Sequence, residues 1–130
     1  MAEETYSGIN YTKLAEKFRK ELDKPLGTPL DQYSGPISLS AATWTDMLTY
    51  TVPSGAKLNL CEFGGFTDQD FQLKLLIGGT AKRIVGQIAK TTLQYIFVNP
   101  IQVEAGTQIK VQGYVATATT GYAWINGYLL

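Results

Sequence analysis

The 130-residue chain contains no histidine and a single cysteine, Cys61. The first absence excludes imidazole acid–base chemistry and histidine-based metal sites. The second excludes an intrachain disulfide and any CxxC metal motif. No apolar run approaches the length of a membrane span. The opening Met1-Ala2-Glu3-Glu4 is acidic and polar, which is not the pattern of a secretory signal. Eleven basic residues balance eleven acidic ones, so there is no cationic surplus of the kind that phosphate backbones attract. These absences set the expectations: no nucleic acid, no membrane, no metal and no cofactor.

Charge is also scarce in one particular region. Residues 1–24 carry ten charged residues, whereas residues 25–130 carry only twelve. A small domain normally covers its large surface with charge. Here Thr, Gln, Asn, Ser and Tyr cover it instead. Such a surface suits permanent contact with neighbours, because interface cores are poor in charge and rich in aromatics.

The chain divides into three parts. Residues 1–24 form an expected N-terminal helical arm. Within it Tyr11, Leu14, Ala15, Phe18 and Leu22 recur at helical steps and predict one apolar stripe over residues 10–24. Asn10 or Ser7 caps the start, and Pro25 ends the helix. A helix of this length is marginal alone in water, so its stripe must cover either its own β body or another subunit. Residues 25–36 hold three prolines and two glycines. They read as a linker that is neither helix nor ladder, able to span on the order of 30 Å.

From residue 37 to 130 the period changes to two. Leu58 and Leu60 stand opposite Lys57 and Asn59. Phe71, Leu73, Leu75 and Ile77 alternate with polar residues, as do Ile109, Val111 and Val115. Trp44 shares the parity of Leu48 and Val52, which predicts a core position. Ile84 and Ile88 make a weaker run, and residues 93–98 are apolar on both parities, as for a strand covered on both faces. Turn signals at Pro53-Ser54-Gly55, Gly64-Gly65, Gly78-Gly79, Asn99-Pro100 and Ala105-Gly106 separate about eight strands. The fold class that follows is all-β: an antiparallel β-sandwich, most simply an eight-stranded jelly roll. The stretch from Val52 to Leu60 repeats at Val103 to Val111 as V-x-(S/A)-G-x-x-(L/I)-x-(L/V), which predicts two equivalent corners with a positive-φ glycine.

No motif for catalysis emerges. The glycine pairs lack phosphate-loop spacing. Cys61 has no partner and reads as an inert thiol. Asp68-Gln69-Asp70 is too sparse for a calcium loop. Only six acids follow residue 24, and none is paired as glycoside hydrolysis requires. The chain therefore reads as non-enzymatic. Trp44, Trp124, Tyr122, Tyr114 and Tyr128 are candidates for a sugar platform, of which Tyr114, with outward parity, is the better placed at the surface; core or subunit contact is the weightier reading. The expected contact residues are Tyr11, Leu14, Phe18 and Leu22 of the arm, Tyr33 of the linker and Tyr114 of the body.

The corner Thr51-Val52-Pro53-Ser54-Gly55, the stretch from Pro100 to Val111 and the closing Gly121-Tyr122-Ala123-Trp124-Ile125-Asn126-Gly127-Tyr128 resemble the β-domains of virus particles. In layout the chain resembles the small decoration, or cement, proteins of tailed-phage capsids. The resemblance spans about residues 37–130. It implies a capsid-stabilising structural protein, made in the host cytoplasm and carried on the capsid surface of the virion. Its partners would be copies of itself, as a trimer, and the major capsid protein. The alternative is a phage fibre or receptor-binding tip, or a carbohydrate-binding module.

Overall fold

Alternating apolar and polar residues produce strands whose apolar side is buried between two sheets. The structure, a computed structural model, describes residues 5–6, 9–10, 12–13, 15, 27–87 and 92–130. Its strands are β1 (Thr5–Tyr6), β2 (Ile9–Asn10), β3 (Thr28–Tyr33), β4 (Ile37–Leu39), β5 (Thr45–Thr51), β6 (Leu58–Thr67), β7 (Phe71–Ile77), β8 (Thr80–Gln87), β9 (Thr92–Val103), β10 (Gln108–Val115) and β11 (Thr119–Leu129). One sheet runs β5-β10-β7-β8. The other runs β3-β11-β6-β9, with β4 also on β11. All these strand pairs are antiparallel. The result is a β-sandwich.

Its core confirms most of the expected inward residues. Leu58, Leu60, Leu73, Leu75, Ile109, Val111 and Val115 have no exposed surface, and Phe63 and Ile125 join them. Phe63, Tyr95 and Phe97 pack ring to ring, with centroids 5.1 to 6.1 Å apart. Arg83 lies 5.8 Å from the Tyr95 and Phe97 centroids, and its Nε donates to the Tyr95 hydroxyl at 3.2 Å. It thereby covers the seam between the outermost strands β8 and β9.

The two expected corners share one geometry. Gly55 and Gly106 have φ of 79° and 78°. Ala56 N–H donates to Pro53 C=O and Thr107 N–H to Glu104 C=O, each at 3.2 Å, which places each glycine where a tight turn requires positive φ. The corners also bind one another: Val52 N–H reaches Thr107 C=O at 3.0 Å, and Gly106 N–H reaches Val52 C=O at 2.8 Å.

Five expectations need correction. Gly64-Gly65 and Asn99-Pro100 do not separate strands, since they lie within β6 and β9. The proline-rich linker is not free of ladder, because Thr28–Tyr33 pairs with residues 124–129 of β11. A sheet edge tolerates this: among the described residues β3 has a neighbour on one side only, so an N–H that Pro29 lacks need not be missed. Trp44 is not in the core. Leu48 pairs with Val111 but Asp46 with Gln112, so Met47 is an extra residue and the parity reverses before it. Ile84 points outward and Val85 is the half-buried residue, because Lys82 is extra opposite Leu75 and Leu76. Finally, β9 is not covered on both faces: Ile96 is 63% exposed and Val98 95%.

The helix expected over residues 10–24 lies mostly outside the described residues. Asn10, placed at its start, pairs with Thr5 in a two-residue ladder of β1 and β2, and Thr12, Lys13 and Ala15, described residues of the expected helix, are helical. Thr12, Lys13 and Ala15 are exposed. Tyr11, Leu14, Phe18 and Leu22 lie outside the described residues.

Candidate interaction face

The outer face of the five-stranded sheet carries the densest cluster of aromatic and polar side chains. Register brings them together in rows across β3, β11, β6 and β9. One row is Tyr33, Trp124, Gly64 and Gln94; the next is Asp31, Asn126, Glu62 and Ile96. Tyr122 and Phe66 pair in the row on one side, with ring centroids 6.4 Å apart.

Glu62 organises the centre. Its Oε1 accepts from Gln94 Nε2 at 2.7 Å and from Trp124 Nε1 at 3.1 Å, and its Oε2 accepts from Asn126 Nδ2 at 2.9 Å. Partial burial pushes its carboxyl pKa up. The bonds from Asn126, Trp124 and Gln94 together outweigh that and hold it below the usual glutamate range. A carboxylate engaged on both oxygens fixes its neighbours rather than moving protons.

Trp124 lies flat because position 64 is glycine. A Cβ there would come within 2.4 Å of the indole Cζ2 and 2.6 Å of Cε2. One ring face thus rests on the β6 backbone, and the in-plane N–H is tied to Glu62. Tyr33 beside it is 73% exposed.

Outward orientation of Glu62 comes from a bulge. Asn126 pairs with Glu62 but Gly127 with Leu60, so Cys61 is the extra residue. The Cys61 thiol is half-buried and donates weakly to Asn59 C=O at 3.6 Å. Burial, and secondarily the Glu62 charge, push its pKa up, which disfavours the thiolate.

Tyr114 lies on the opposite side of the molecule, on the outer face of the four-stranded sheet. Its ring packs 5.4 Å from that of Trp44, and Lys74 Nζ sits 4.0 Å from the Trp44 centroid. Nearby, Asp46 accepts from Gln112 at 2.7 Å and Lys110 at 3.2 Å. The Gln112 bond above all, aided by Lys110, holds the Asp46 carboxyl below its usual range against the opposing effect of burial.

The structure therefore separates the two described contact residues, Tyr33 and Tyr114, onto opposite faces. It joins Tyr33 instead to Trp124 and Tyr122, and adds Glu62, Asn126, Gln94 and Phe66, which the sequence reading did not single out. The nearest sequence signal is Gly64-Gly65, glycine in mid-strand where close approach requires it. Asp68, in the sparse acidic loop, accepts from the Thr119 hydroxyl. Among the described residues, no group of three or more His, Cys, Asp or Glu could hold a metal ion. No protein-family model and no curated protein matches the chain.

Proposed function

We propose that the chain is a non-enzymatic structural protein of a virus particle, a decoration subunit that assembles with copies of itself and binds the capsid surface. The observation that carries this reading is the outer face of the five-stranded sheet. Tyr33, Phe66, Tyr122 and Trp124 present aromatic surface there, around a carboxylate whose hydrogen bonds are spent internally. Exposed aromatics held in place by their neighbours are the side chains from which contact hot spots are made.

Strand order supports the jelly-roll reading of the sandwich. With β3 and β4 counted as one broken first strand and β11 as the eighth, one sheet runs 1-8-3-6 and the other 2-7-4-5. Two interlocked Greek keys produce this alternation, and viral shell domains use that architecture. The apolar stripe of Tyr11, Leu14, Phe18 and Leu22 supports an additional clasp, and repeated weak contacts would add through avidity.

The test is co-sedimentation of the full chain with purified capsids of the virus that encodes it. Tyr33→Ala with Tyr122→Ala should reduce attachment at least tenfold without lowering the melting temperature, since two lost hot spots remove about 2 kcal/mol or more. Deleting residues 1–24 should reduce it further while the sandwich stays folded. Undiminished attachment of both variants would overturn the reading.

One observation favours a second reading. A flat indole held in plane by Glu62, beside the amides of Asn126 and Gln94, is also a surface on which a pyranose ring can stack. Glycan-array binding that is lost on Trp124→Ala would decide for it.

A further inference from the structure

The fold demands two particular residues in the middle of an interior strand. β11 lies between β3 and β6, and residues 126 and 127 keep partners on both, although Cys61 bulges out of β6 beside them. At 127 only glycine fits, since a Cβ there would collide with the Asn59 carbonyl oxygen. At 126 a donor is needed, because Asn126 Nδ2 supplies Glu62 Oε2 at 2.9 Å. Packing and hydrogen bonding together therefore set Asn before Gly.

That dipeptide is chemically labile. Gly127 has no side chain to obstruct its own backbone nitrogen, which can attack the Asn126 side-chain carbon Cγ. The nitrogen gives up its proton to the solvent and the N–Cγ bond forms. The Cγ–Nδ2 bond then breaks, and Nδ2 takes up a proton and leaves as ammonia. The resulting five-membered imide takes up one water and opens at either carbonyl, to aspartate or isoaspartate. The net change is one water in and one ammonia out. The chain's other asparagines lack this combination. Tyr11 and Leu60 follow Asn10 and Asn59 with bulky side chains, and Pro100 after Asn99 has no N–H to lose.

We propose that Asn126 is a site of spontaneous deamidation that the fold holds closed, so that the chemical lifetime of the protein is set by how often β11 opens. Ring closure needs the backbone at Asn126 to leave the extended form. In the sheet that backbone is extended between two strands, and the side chain is tied to Glu62. Freeing it means parting β11 from β3 and β6 together, which is a rare opening of the sheet interior and not the fraying of an edge. The change is also one-way. Aspartate at 126 would stand in one cross-strand row with Asp31 and Glu62, and Glu62 Oε2 would lose its donor. Isoaspartate adds an atom to the backbone and disturbs the register beyond it. Either product refolds to a weaker sheet, which makes opening irreversible in effect. This holds whatever the outer face binds.

The test is mass spectrometry of the full chain aged in one mildly alkaline buffer, with and without denaturant. Trypsin then releases residues 111–130, in which Asn126 is the only asparagine. In denaturant this peptide should gain one mass unit and show an isoaspartate form, while the peptides holding Asn10, Asn59 and Asn99 stay unchanged. Without denaturant, below the melting temperature, the gain should be slower by about a hundredfold or more, since an interior strand opens at a free energy near that of global unfolding. Asn126→Asp, which makes one product directly, should lower the melting temperature at neutral pH or prevent folding. Equal rates in the two buffers would show that the fold gives no protection and overturn the proposal, as would an Asn126 that stays intact in denaturant. An Asn126→Asp variant that melts with the wild type overturns the one-way consequence.

Discussion

Glu62 shows how one side chain sets a surface. Three donors from three positions converge on it, which locks Trp124, Asn126 and Gln94 into one arrangement. Its depressed pKa makes this support pH-dependent. The folded pKa lies below the unfolded one, so the contribution is present above the ordinary glutamate value, about 4.3. It is lost as pH falls through the folded value. Glu62→Gln should therefore lower the melting temperature at neutral pH and flatten the acid limb of the melting-temperature profile. The loss should be smaller at low pH, and an acid limb identical to wild type would show that these bonds do not contribute. The aromatic half of this cluster was legible only in part, since Trp124 and Tyr122 were two of five candidate aromatics and outward parity favoured Tyr114, which lies on the other sheet. The acidic half was not legible at all. Alternation from Leu58 and Leu60 places residue 62 inward, and only the extra residue at Cys61 turns it out.

The same cause operates at the scale of the strand. Alternation located the inward residues of β7, β10 and the start of β6 because period two is dictated by the pleat. It failed at Trp44 and at Ile84, each beyond a single inserted residue in β5 or β8. Insertions of one residue leave no compositional trace, so parity cannot be carried across them. Proline misled in another way: it marks an edge as readily as a linker, and β3 is an edge. Between β3 and β4 the side chain of Ser34 completes the ladder. Its hydroxyl accepts the Ala123 N–H at 2.9 Å and donates to Gly35 C=O at 2.6 Å, while Ser34 N–H reaches Ala123 C=O at 2.8 Å. Ser34→Ala leaves the Ala123 N–H without its acceptor and should cost about 1–3 kcal/mol. Hydrogen exchange at Ala123 should accelerate accordingly, and an unchanged rate would show that another acceptor takes over.

Across the whole molecule, the repeated corners tie the two sheets together. Each carries a buried valine, Val52 or Val103, and a positive-φ glycine, and Lys57 of one faces Glu104 of the other at 3.8 Å. Gly55→Ala and Gly106→Ala should each destabilise by about 1–2 kcal/mol, because a Cβ is strained at these φ values. The double variant should lose less than the sum, since each single variant already weakens the Gly106–Val52 bond that the corners share. Additive losses in chemical denaturation would argue against that coupling. The corner motif was visible as an internal repeat; that the two copies touch was not, because a repeat specifies shape and not placement. The position of β11 has a separate consequence for biosynthesis. This strand lies between β6 and the β3–β4 edge, which among the described residues are joined only through it. While the ribosome is still making residues 119–129, β6 and β3 flank an empty lane and their apolar sides have no common sheet to join. The nascent chain must therefore wait until β11 has left the exit tunnel, and at roughly 5–20 residues per second it stays open for several seconds beforehand.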